Sequence, residues 1–199
     1  MSHNDILKKS GTTTQATVSR ILKVWASASD SDREDGAQWY PLHRQIIIQL
    51  SRDWYVSEET AAAVVAHLSP RIHWERCLLA APVVLSGRRP VGIVGQFYEG
   101  ALRAVQSDDP VSTLTGPKTS AFVRNLLGDL DAVTCDVWAF KIALGDRDDL
   151  NKVTARTGVY DAVAHCYTLA AARVGVSPST MQAATWCAIR GRSSLYTSA

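Results

Sequence analysis

The apolar positions of this chain recur at helical spacing over most of its length, and they do not settle into the alternation of a strand. Val18, Ile21, Leu22 and Trp25 fall at i, i+3, i+4 and i+7, one face of a helix. Ser27 to Gly36 mixes Ser, Asp and Gly without apolar period and predicts a loop, after which a second helix runs from about Tyr40 to Trp54. Ser57 suits the N-cap of a helix over 58–67, because its hydroxyl accepts a first-turn N–H and Glu58 and Glu59 lie at the positive end of the dipole. Pro70 marks a break, and a helix from about Ile72 reaches Pro82, which kinks or ends it. Gly87 to Gly95 reads as a turn-rich connection before a helix over Phe97 to Val105.

Asp108-Asp109-Pro110 opens a short helix towards Leu114, and the next covers Thr119 to Leu127 and closes at Gly128. Val133 to Leu144 is a buried helix ended by Gly145, and Tyr160 to Val174 is a long apolar one stopped by Gly175. Ser177-Pro178 supplies an N-cap and a first-position proline for a last helix to Ile189. The β-branched runs Ile46-Ile47-Ile48 and Val83-Val84 sit inside helical periods, so the expected fold class is all-α, with about nine helices. Residues 1–13 are polar and are read as a frayed, flexible terminus.

With 199 residues, 46% of them hydrophobic, the chain is long enough to bury a core as one large domain or two small lobes. Twenty-one Lys and Arg against 19 Asp and Glu leave a net charge of +2, which neither demands nor forbids a polyanionic partner. Cys77, Cys135, Cys166 and Cys187 are scattered without a C-x-x-C pair and are read as buried, reduced thiols of a cytoplasmic protein rather than as metal ligands. No apolar stretch approaches the roughly 20 residues that span a bilayer, and the first ten residues hold no signal core. No membrane partner, metal or cofactor is expected.

The chemistry concentrates in Leu114-Thr-Gly-Pro-Lys-Thr-Ser-Ala-Phe122 and Val133-Thr-Cys-Asp-Val-Trp138. Gly116 before a helix lets backbone N–H groups approach an anion, and the helix N-terminus adds partial positive charge. Lys118 falls in that first turn, where dipole logic disfavours a cation. On the residues alone, Lys118 reads as a solvated charge and Asp136 as the N-cap of a helix opening at Val137.

Gly116-x-Lys118-Thr119, a helix, and then a turn to Asp136 eighteen residues on (136 − 118) together resemble the helix-hairpin-helix DNA glycosylases of the endonuclease III type. The similarity extends in patches from about Val56 to Arg192. Ala63 to Arg71 looks like the family's early barrel helix with its wedge residue, and Thr185 to Arg192 like its closing helix. Two features depart from the pattern. The hairpin lacks the second glycine of Leu-Pro-Gly-x-Gly, and the four-cysteine iron–sulfur loop is missing, so no cluster is expected.

The resemblance implies two helical lobes with a cleft between them, one of about residues 57–127 and the other of about 14–54 with 133–192. It implies a DNA partner and an enzyme that excises a modified or damaged base, with or without strand cleavage. Asp136 then balances positive charge growing on the sugar, and Lys118 is the nucleophile that forms a Schiff base, for which its amine must be unprotonated. The target base must leave the stack, so Arg71 matches the wedge, with Ser69, His73, Trp74 and Trp138 as wedge or pocket candidates. Gly116, Thr119, Arg124, Arg190 and Arg192 are the DNA-backbone candidates, with Arg88 and Arg89 further ones. Trp39, Tyr40, Trp54 and Tyr55 read either as pocket or as core. Two alternatives stay open: a base-modifying enzyme like the branch tied to hypermodified thymine in phage DNA, or a DNA-binding scaffold without turnover.

Overall fold

The structure, a computed structural model, describes residues 1–190. Eleven α-helices follow one another: α1 (His3–Lys9), α2 (Thr14–Ser27), α3 (Asp30–Trp54), α4 (Glu58–Leu68), α5 (Trp74–Leu85), α6 (Gly95–Gln106), α7 (Pro117–Leu126), α8 (Val137–Leu144), α9 (Leu150–Thr154), α10 (Val159–Val174) and α11 (Pro178–Arg190). A 3-10 turn at Val111–Thr113 lies between α6 and α7. The fold is all-α, with no strand among the described residues.

The described residues divide into two compact units, the first made of Met1–Tyr40 with residues 130–190, the second of Pro41–Asp129. The boundary falls inside α3, between Tyr40 and Pro41, whereas the sequence reading assigned the whole helix to the discontinuous lobe. Periodicity shows that a helix is amphipathic but not that its two ends serve different cores.

In the first unit Leu7, Val18, Ile21, Phe140, Leu144, Val163, Tyr167 and Met181 belong to one buried cluster. Residues 1–13 are not frayed as expected. Ser2 and Asp5 cap α1 reciprocally, and Leu7 is wholly buried in the cluster, so one apolar side chain anchors an otherwise polar segment. Arg156 donates to the Lys9 carbonyl and Arg147 to that of Ser10. Of the predicted loop over Ser27 to Gly36, only residues 28–29 lie outside helices, and from Asp30 it is the start of α3. The Ser29 N–H and hydroxyl donate to the Asp32 carboxylate, while the Asp32 N–H donates back to the Ser29 hydroxyl. The inward positions there are Asp35 and Gly36 rather than apolar residues, so no hydrophobic period marks this stretch. A Cβ on Gly36 would stand 2.3 Å from the backbone nitrogen of Ala184, so the glycine is what lets α3 and α11 touch. The five-residue α9 was also missed.

In the second unit α4 is the central helix. Ala61 to Ala66 and Leu68 are each fully buried, and α5, α6 and α7 all pack against it. A helix apolar on all sides fits only such a position, and its alanines let its neighbours approach closely. Ser57 caps it through the Thr60 N–H, as expected. The His67 ring lies against Gly100 of α6, where an added Cβ would sit 2.4 Å from its Nδ1. Pro82 lies inside α5 rather than ending it.

Candidate functional site

Asp136 stands at the mouth of α8 in the first unit, and the segment before it is pinned. Tyr160 Oη donates to the Val133 carbonyl at 2.9 Å and accepts from the Cys135 N–H at 3.1 Å. Tyr40 Oη donates to Gln182 Oε1 at 2.9 Å and is hydrogen-bonded to the Thr134 side chain. Tyr167 Oη, fully buried, donates to the Ala139 carbonyl. Burial pushes all three phenols well above their ordinary range and pushes the Cys135 thiol up as well, so these clamps stay neutral. Asp136 itself is half-buried. Its Oδ1 accepts from the Ala139 N–H at 2.8 Å, the N-cap bond read from the sequence, and its Oδ2 has no hydrogen-bond partner among the described residues.

Lys118 belongs to the second unit, as the second residue of α7. Gly116 is the N-cap of that helix and no side chain caps it, so its leading N–H groups remain open among the described residues. The turn before it is held from the other side. Thr119 Oγ1 donates to the Gly116 carbonyl and Ser120 Oγ to the Leu114 carbonyl, both at 3.0 Å. Thr119 thus shapes the turn by its side chain. Lys118 is half-buried, and its amine makes no hydrogen bond or ion pair among the described residues.

The wedge candidates lie on the turn from α4 to α5. Arg71 is exposed with φ at +64°, a left-handed conformation that costs a non-glycine residue energy and so marks a constrained turn. Ser69 donates back to the Ala66 carbonyl, and the exposed His73 heads α5 without capping it. His67, one turn earlier, bonds Thr113 Oγ1 through Nε2 at 2.9 Å, which ties this end of α4 to the residues leading into the Gly116 turn. Trp74 is half-buried and packs edge-on against His43, with centroids 4.6 Å apart, and against Phe122 at 5.9 Å.

The backbone candidates separate. Arg124 is engaged by Asp129, at 2.8 Å from Nε, and Arg89 lies over the Tyr98 ring. Arg88 bonds the Ser86 hydroxyl. Arg190 lies 5.3 Å from the Trp138 centroid and 5.4 Å from that of Trp186, two rings that face it from α8 and α11. Arg192 falls outside the described residues. Of the four aromatics left open, Tyr40 is core, Tyr55 is 97% exposed, and Trp39 lies 5.5 Å from Trp186. Sequence reasoning passed over Trp186, Lys141 and Tyr160. The spacings Trp186 to Arg190 and Trp138 to Lys141 were legible as same-face helical neighbours, but the contact of α8 with α11 was not.

Among the described residues no group of three or more His, Cys, Asp or Glu is arranged to hold a metal, and no helix is long and apolar enough to cross a membrane. All four cysteines are buried as thiols. Comparison with curated proteins finds no match, and comparison with solved structures finds none either. Residues 3–193, nearly the whole chain, match a family of unknown function, DUF7178, and the protein belongs to that family.

Proposed function

We propose that the protein is a DNA N-glycosylase that removes a modified or damaged base, with Asp136 as the stabilising carboxylate and Lys118 as the nucleophile. The observation that carries this reading is the setting of Asp136: a carboxylate held by a helix N-cap and a tyrosine-pinned lead-in, with one oxygen unbonded among the described residues. A charge fixed before reaction needs no reorganisation when positive charge develops on the sugar. Lys118, which makes no hydrogen bond or ion pair among the described residues at the head of α7, and the resemblance of the Lys-to-Asp segment to helix-hairpin-helix glycosylases support the same reading.

The C1′–N bond breaks with its electron pair leaving on the base, and the Asp136 carboxylate offsets the cationic sugar. The Lys118 lone pair then forms a bond to C1′. The ring opens as O4′ takes a proton, which leaves an iminium between Lys118 and C1′. Water reverses that bond, or loss of a C2′ proton expels the 3′ phosphate and cuts the strand. The α7 head, which no side chain caps, suits a backbone phosphate.

Borohydride trapping tests the reading. The wild-type protein is mixed with duplex DNA carrying single modified pyrimidines or an abasic site, and we expect a covalent adduct that is absent in Lys118→Ala. Free base without an adduct would assign hydrolysis to Asp136 and water. Neither adduct nor free base across the panel would overturn the glycosylase reading, and an altered base still attached to DNA would replace it with base modification.

A further inference from the structure

Trp138, Trp186, Arg190 and Lys141 form a ladder on the first unit that neither the fold nor the proposed chemistry accounts for. The Arg190 guanidinium stands between the Trp138 and Trp186 rings, and the Lys141 amine lies 5.2 Å from the centroid of the same Trp138. Trp39 extends the row beyond Trp186. The three indoles are half-buried and Arg190 is exposed. Helix dipole considerations favour a cation in the last turn of α11 but do not call for two indoles around it.

Several cations that do form ion pairs make the contrast. Arg33, Arg124 and Arg147 pair with Asp30, Asp129 and Asp149, and Lys141 pairs with Asp146 at 3.1 Å. Arg190 has no hydrogen bond or ion pair among the described residues. Aromatic rings over a guanidinium restrict its orientation while using none of its five N–H donors. What remains is a guanidinium oriented by two rings, its donors unengaged among the described residues, and such a fork suits the two unbridged oxygens of a phosphodiester. Trp138 begins one residue after Val137, on the same first turn of α8 that Asp136 caps, so an anion held at Arg190 lies beside the carboxylate's helix.

We infer that the Trp138–Arg190–Trp186 ladder binds a phosphodiester of the DNA strand next to the nucleotide presented to Asp136, with Arg190 as its bidentate anchor and the indoles available to stack an unpaired base. The inference rests on the reading that DNA is the substrate. Lys141, held by Asp146, adds positive potential to the same face.

The test titrates the full chain with a short DNA duplex containing one unpaired base, following tryptophan fluorescence across a range of salt. In wild type we expect quenching on binding. Arg190→Gln should raise Kd by about tenfold and flatten the slope of log K against log salt by about one. Arg190→Lys should keep most of that slope while losing affinity, because an ammonium lacks the fork. Equal Kd and slope in wild type and Arg190→Gln, with matching melting curves, would overturn the inference. So would saturation of the same quenching by inorganic phosphate alone. Base release that persists in an Arg190→Gln variant of unchanged Kd would sink the ladder while leaving the glycosylase reading. Loss of binding in that variant, where wild type releases no base, would do the reverse.

Discussion

In the proposed reading, Asp136 serves structure and chemistry with different atoms. Its Oδ1 caps α8 while Oδ2 is unbonded among the described residues, so the two roles separate by substitution. Asparagine caps a helix about as well as aspartate, whereas alanine costs about 1 kcal/mol. Asp136→Asn should therefore melt within a degree or two of wild type and lose base release, while Asp136→Ala should lose both activity and stability. Calorimetry and a base-release assay read the two effects apart. Wild-type release by Asp136→Asn would leave Asp136 with the cap alone. The cap was legible in the sequence because Asp before an apolar run is a local signal. The pinning of residues 133–135 was not, since Tyr40 and Tyr160 reach them from distant points in the chain.

Among the elements, the join between α4 and the turn before α7 carries a pH dependence. Burial, with the Arg103 charge added, lowers the His67 pKa from an ordinary 6.5 to about 4. The folded state thus prefers the neutral ring, which bonds Thr113. The stability it contributes is complete above about pH 6.5 and is lost as pH falls from there towards 4, because the unfolded chain binds the proton first. The ring is partly exposed, so screening reduces the effect to about 1 kcal/mol. Melting curves of wild type and His67→Gln should converge as pH drops through this window, and parallel curves would remove His67 from the pH response. Helices announced by caps were readable, such as α4 from Ser57 and α11 from Ser177. The start of α3 was not, because its inward positions are Asp35 and Gly36, and the need for glycine comes from Ala184 on another helix.

For the whole molecule, the telling feature is that one unit is continuous in sequence and the other is not. Residues 41–129 close on themselves around α4, whereas α1 and α2 find their core only with α8, α10 and α11, more than a hundred residues later. Leu7 belongs to that core. Leu7→Ala should destabilise the protein by about 2–5 kcal/mol, a cavity-sized loss from a segment that looks dispensable in sequence, and chemical denaturation measures it. A cost below 0.5 kcal/mol would mean that α1 is only loosely attached.

The sequence by itself determined the helical class, most helix ends, the buried state of the cysteines, and the spacing of Lys118 and Asp136 on two helix heads. These are local properties, set by period, capping residues and glycine stops within a few turns. Only the tertiary structure decided that the polar first residues are anchored, that α3 serves two units, that Trp74 packs edge-on against His43, and that Arg190 lies over two indoles. Each of these depends on side chains far apart in sequence meeting in space, and no local pattern records which distant surface a face will meet.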